Sequence, residues 1–193
     1  NTYITDLTGL TSLSTLGSLK VISNPALSSL SGLPAGLTTL QGDLLITNND
    51  NAGFTSLAGL ENLVSITGFV EVTGNQNLLN FTGLDNLESV GKNIYASSNP
   101  SLSTMILPSL LSIGINPDNN NNGLTMYDNG GMPLTEVSMP LLQSIEGLVR
   151  FMNMNSLETL NFPSLNTVGL FFWIDQCPVL STVDCTSLAS VGG

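Results

Sequence analysis

Apolar residues return along this chain in a fixed order, with a period of roughly two dozen residues. The clearest recurring segment is x-Φ-x-Φ-x-x-Asn, where Φ is apolar: Leu19, Val21 and Asn24, then Leu44, Ile46 and Asn49, then Val70, Val72 and Asn75. It continues as Ile94, Ala96 and Asn99, then Leu124, Met126 and Asn129. Two altered copies follow, Val149, Phe151 and Met154, and Phe172, Ile174 and Cys177. The longest step between copies runs from Ile94 to Leu124, and the others are nearly even. Two further apolar pairs complete each copy. The first comprises Leu27/Leu30, Phe54/Leu57, Leu78/Phe81, Leu102/Met105, Leu134/Val137, Leu157/Leu160 and Leu180/Val183. The second comprises Leu37/Leu40, Leu63/Ile66, Leu87/Val90, Leu110/Ile113, Leu142/Ile145, Leu165/Val168 and Leu188/Val191.

Alternation with period two predicts a strand that turns Leu19 and Val21 to one face. A copy with one good strand and two short ones cannot bury its apolar side alone. Stacked copies can, and equivalent strands then pair in parallel. Gly, Asn and Pro interrupt every stretch long enough for a helix. The expectation is therefore a mainly β fold, a right-handed parallel β-solenoid (β-helix) of about seven coils, each of roughly 23–30 residues. It forms a single domain over 1–193, with a partial first coil at 1–17 and an inserted loop at 116–123. The partial coil at one end and a chain that stops where another coil would begin suggest part of a longer protein. The Asn that follows each strand is expected to stack into a ladder, its amide bonded to buried backbone groups of the turn. Met154 and Cys177 would end that ladder.

The third side of each coil has two forms. One is Gly-Leu-x-Asn-Leu, at Gly59–Leu63 and Gly83–Leu87; the other is Φ-Pro-x-Leu, at Leu107–Leu110, Met139–Leu142 and Phe162–Leu165. An ordinary leucine-rich repeat reads L-x-x-L-x-L-x-x-N/C-x-L. This chain reads L-x-x-Φ-G-x-L-x-Φ-x-x-N-x-x-L, and over nearly its whole length it resembles the receptor L-domain family. That family includes the ligand-binding L domains of insulin and epidermal growth factor receptors, fungal GPI-anchored wall proteins and related microbial surface proteins, the last being the closer match. The resemblance implies an extracellular or cell-surface setting and a ligand carried on the broad sheet face.

Composition narrows the chemistry. Three cations, Lys20, Lys92 and Arg150, face 14 acidic residues, for a net charge of −11. That balance excludes nucleic acid, which demands basic phosphate contacts. No apolar run reaches the ~20 residues of a membrane helix, so the chain is not an integral membrane segment. With no His, His-based triads and His-ligated metals are excluded. No catalytic residue, metal site or cofactor is expected, and the chain is read as not an enzyme. The nearest thing to an acid pair is Glu61 and Asp85, at equivalent positions of successive coils. They suggest either a calcium bridge or acid pair, or repulsion tolerated at the surface. The Asn-rich 116–123 segment carries only Asp118 as a charge, which is poor in ligands for Ca²⁺. Asn80-Phe81-Thr82 is an N-glycosylation sequon, meaningful in a eukaryotic secretory protein. Cys177 and Cys185 point into one coil, as either a disulfide or two buried thiols.

The residues that flank the inward pair of each long strand should face outward. Toward the C terminus this face becomes aromatic and apolar instead of polar. Tyr95, Tyr127, Leu148, Arg150, Met152, Phe171 and Trp173 are its candidate binding residues, because apolar and aromatic patches mark contact surfaces. The expectation is a non-catalytic extracellular binding or adhesion domain that contacts a protein or glycan, with packing against adjacent domains of the same chain as the bland alternative. A structural cell-wall component, an ice-binding solenoid and a carbohydrate-active enzyme are the rivals. For ice binding, the outward row Ile22, Thr47, Thr73, Ser97, Tyr127, Met152, Asp175 keeps its run of Thr and Ser for three coils only.

Overall fold

In the long strands the inward residues are apolar and, Ala96 apart, β-branched or long, a combination that fits a pleated surface buried on one face. Leu19–Ile22 alternates buried and exposed residues, and Val70–Thr73 repeats that alternation. The computed structural model describes residues 3–114, 123–128 and 131–192. Among them the strands form three parallel sheets, one along each side of a β-solenoid.

The first sheet holds the seven long strands in chain order: Leu19–Ile22, Leu44–Thr47, Val70–Thr73, Asn93–Ser97, Gly123–Tyr127, Leu148–Met152 and Phe172–Asp175. Its register runs Leu19, Leu44, Val70, Ile94, Leu124, Val149, Phe172, as the repeat predicts. Residues 116–122 and Asn129 lie outside the described residues. Seven two-residue strands, Thr39–Leu40 through Ser190–Val191, form another sheet along the third side. There, from the second coil on, two successive amides share one carbonyl of the coil before. The amides of Val64 and Ser65 both donate to the Thr38 carbonyl (2.8 and 3.1 Å), and those of Glu88 and Ser89 to that of Val64 (2.8 and 3.3 Å). The shared carbonyl lets the chain turn the corner just before the two paired residues.

The second side departs from the expected short strand in every coil. Only the last four coils have one there: Thr104–Ile106, Glu136–Ser138, Thr159–Asn161 and Thr182–Asp184. These are the coils without a glycine at the following corner, where the earlier coils have Gly32, Gly59 and Gly83. In the earlier coils Gly32, Gly59 and Gly83 take φ values of 119°, 110° and 111°, which turn the chain out of the extended conformation. A Cβ on Gly59 would lie 2.3 Å from the Leu30 carbonyl carbon, so the corner also needs a residue without a side chain.

The core is the stack of inward pairs. Every second- and third-side pair from Leu27/Leu30 to Leu165/Val168 is buried. The last coil is the exception, and Phe172, expected to be buried with the rest of its row, is only half-buried. Ile174, Val183 and Val191 are 37%, 46% and 45% exposed. An inward side chain is covered by its own coil and by both neighbours, and among the described residues these have a neighbouring coil on one side only. The first full coil differs. Residues 3–16 lie against it, with the Leu7 amide on the Ser31 carbonyl (2.8 Å), Leu16 bridged to Leu40, and Leu19 and Val21 buried. Asp6 fixes the 3-10 turn Thr8–Leu10 by accepting from the Thr8 hydroxyl (2.6 Å) and amide (2.9 Å). These bonds favour the charged carboxylate and hold the Asp6 pKa below its ordinary value. What they contribute is present above the ordinary carboxylate range and lost as pH falls through the lowered value. No helix among the described residues is long and apolar enough to cross a membrane.

Candidate functional site

The Asn residues form the expected ladder. The Asn49 side-chain oxygen accepts from the Asn24 amide (3.1 Å), Asn75 from that of Asn49 (3.1 Å), and Asn99 from that of Asn75 (2.9 Å). Each side-chain amide also donates to strand carbonyls: Asn49 to Val21 and Thr47, Asn75 to Ile46 and Thr73, and Asn99 to Val72. Asn49, Asn75 and Asn99 are fully buried. Their polar atoms are used by the backbone, so they act as structure. In six of the coils the residue before the ladder position takes a left-handed conformation: Ser23, Asn48, Ser98, Asn153 and Gln176 have φ of 53–57°, and Gly74 has φ 70°. For a non-Gly residue that conformation costs ~1–2 kcal/mol, offset at Ser23, Asn48 and Ser98 by the bonds of the Asn ladder that follows each.

The ladder chemistry does not stop at Asn. The Cys177 thiol donates to the Asp175 carbonyl (3.5 Å) and, at 3.9 Å, to that of Phe151. These are the counterparts of the two carbonyls that Asn49 serves. Cys177 and Cys185 are both free thiols in the structure. Burial pushes both pKa values up, and the neighbouring Asp184 carboxylate adds to the rise at Cys185. Neither therefore has the thiolate character of a nucleophile at neutral pH.

Glu61 and Asp85 have local roles. Glu61 accepts the amide of Gly59 and Asp85 that of Gly83, both at 2.8 Å. Each carboxylate thus caps the glycine corner two residues before it. Among the described residues no three Cys, Asp or Glu side chains converge as a metal site would require. In the sequon, Asn80 accepts the Thr82 amide (3.1 Å) around the buried Phe81.

The outward face of the long-strand sheet places the remaining candidates in rows. The middle row reads Lys20, Leu45, Glu71, Tyr95, Thr125, Arg150, Trp173 across the strands. Phe171 and Trp173 are 53% and 48% exposed, while Tyr95, Tyr127, Arg150 and Met152 are half-buried. Leu148 departs from the expected contact surface, for it is only 6% exposed. Its row neighbour Gly123 has φ 139°, and a Cβ there would strike the Leu148 backbone, so the two chains approach closely at this corner. The Arg150 guanidinium carbon lies 5.6 Å from the Trp173 ring centroid, a cation–π pair. Sequence position suggested both residues for this face but not their contact, which depends on the strand register.

A second ordered surface escaped the sequence reading. On the third side, Thr39, Ser65, Ser89, Ser112, Ser144, Thr167 and Ser190 stand in one register, one hydroxyl per coil without a break. The Ser89 hydroxyl donates to that of Ser65 (3.0 Å). Its signal was the Ser or Thr that precedes the last apolar residue of every copy.

No family model, curated protein or solved structure matches this chain.

Proposed function

We propose that this chain is a non-catalytic binding domain of the cell surface or extracellular space, akin to the receptor L domains, and that it contacts its partner through the C-terminal half of the long-strand sheet. The observation that carries this reading is the exposed cluster of Phe171 and Trp173 with Arg150 stacked on the Trp173 ring. Exposed aromatic surface is unfavourable in water unless something covers it, and Trp, Tyr and Arg dominate binding hot spots. Binding is favoured over catalysis because the one pair of carboxylates at matched positions is occupied in capping its own turns.

A screen of glycans and extracellular proteins tests this, with wild-type protein beside Trp173→Ala and Arg150→Ala. Each substitution is expected to weaken capture by ~1–2 kcal/mol, about 5- to 30-fold, with unfolding unchanged. Equal binding by the Trp173→Ala protein would reject the face.

The unbroken hydroxyl row supports a second reading, attachment to an ordered solid surface such as ice. Hydroxyls repeated every ~4.8 Å along a rigid sheet present a lattice that a flexible chain cannot. In that case the protein shows thermal hysteresis, and a bulky Ser112→Tyr in mid-row removes it. A wild-type protein without hysteresis or ice shaping ends this reading.

A further inference from the structure

Arg150 is one of three cations in a chain with 14 acidic residues. An accessible guanidinium in such a chain has many carboxylates to choose from. Yet among the described residues Arg150 makes no ion pair and no hydrogen bond, and its Nε is buried without a partner. It is held by a ring instead, 5.6 Å from the Trp173 centroid. The ring quadrupole attracts the cation but does not neutralise it. A fixed planar fork with an uncompensated charge is suited to a carboxylate supplied from outside.

The surroundings restrict what brings that carboxylate. A polyanion is disfavoured by the net charge of −11, whereas a single carboxylate can approach within the ~8 Å over which salt screens the other charges. A peptide strand has little to bind on the face itself. The strands Gly123–Tyr127 and Leu148–Met152 pair on both sides, and among the described residues the nearer unpaired edge, on Phe172–Asp175, lies at the rim of the sheet beyond the Arg150–Trp173 pair. What the face offers is side chains. The hydroxyls of Tyr95, Thr125 and Tyr127 make no hydrogen bond among the described residues, and Trp173 is half exposed. Tyr95, Thr125, Arg150 and Trp173 occupy successive strands of one row, a span of ~14 Å at ~4.8 Å per strand. Hydroxyl donors beside an aromatic ring, with one cation between them, match a sugar chain that presents hydroxyls, apolar C–H faces and one acid.

We propose that this face binds an oligosaccharide that is neutral except for a single carboxylate, as in a uronic or sialic acid residue, with the carboxylate on Arg150 and a sugar ring against Trp173. This rests on the binding role assigned above to the C-terminal half of the sheet. The test is titration, followed by Trp173 fluorescence and by calorimetry, with three probes: an oligosaccharide that contains one glucuronic acid, its carboxyl-reduced form, and polygalacturonate. The glucuronic acid probe is expected to bind at least tenfold more tightly than its reduced form and more tightly per site than the polyanion. Arg150→Gln is expected to erase the preference for the acid, Trp173→Ala to weaken both forms, and Lys20→Gln at the far end of the row to change neither. Equal affinity for acid and reduced forms, or a preference that survives Arg150→Gln, overturns the proposal. If none of the probes binds while a protein partner is still lost on Trp173→Ala, the sugar assignment falls and the contact face stands.

Discussion

An aspartate in place of Val70 is expected to leave the protein without a cooperative folded state. Val70 is fully buried in the third long strand, with Leu44 on one side and Ile94 on the other. The substitution forfeits ~1.5–3 kcal/mol of apolar burial. It also places a carboxylate between the buried side chains of Leu44 and Ile94, at a further cost of several kcal/mol whether the group stays charged or is forced to protonate. Stability of the whole domain is expected to be only ~5–15 kcal/mol. In a solenoid each coil is held by its neighbours, so the loss extends to the coils on either side of the third. Circular dichroism and urea titration should find no sigmoidal transition, whereas Glu71→Gln on the next, outward residue should unfold like wild type. A Val70→Asp protein with a near wild-type midpoint would show that this row is not the core.

The second large effect is expected at Asn75. Its side chain donates to the Ile46 carbonyl (2.8 Å) and accepts from the amide of Asn49 (3.1 Å), all within the buried ladder. Asn75→Ala leaves the buried Asn49 amide unpaired, at ~1–3 kcal/mol, and takes one of two bonds from the Ile46 carbonyl, whose strand partner remains, so a loss of about 3 kcal/mol is expected. Asn24 stands at the end of the ladder, is only half-buried, and has no earlier Asn depending on its oxygen. Its replacement by Ala should cost no more than ~1.5 kcal/mol. Denaturant midpoints of the two variants decide the matter. Equal losses at Asn24 and Asn75 would mean that the amides act only within their own turns and that the ladder has no collective role.

Much of this architecture could be read from residue order. The inward rows, the parallel register and the Asn ladder all follow from a short pattern copied seven times. The binding candidates were legible only as a trend, from polar to aromatic along the outward positions. That trend marked Trp173 and Arg150, yet it also included Leu148, which the fold buries. The hydroxyl row of the third side was not legible as a surface, because a two-residue strand is too short for alternation to declare its outward face. The acids at Glu61 and Asp85 looked like a pair by position, and each belongs instead to its own glycine corner.

What residue order fixed was everything that repeats within a coil: which side chains point inward, where the corners fall and which positions align. Period-two alternation and the need to bury apolar surface act over a few residues, so they are written locally and can be read locally. What only the folded stack decided depends on the coil before and the coil after. The left-handed residues Ser23, Asn48, Gly74 and Asn153 each donate their amide to a carbonyl of the next coil, a bond that holds the turn in place. The second side becomes a strand only where successive coils both lack the glycine corner. The burial of Leu148 beside Gly123, the contact of Arg150 with Trp173 and the exposure of the last coil's inward residues are likewise relations between adjacent coils. Such relations arise from register between positions a full coil apart in the sequence, and no local pattern encodes them.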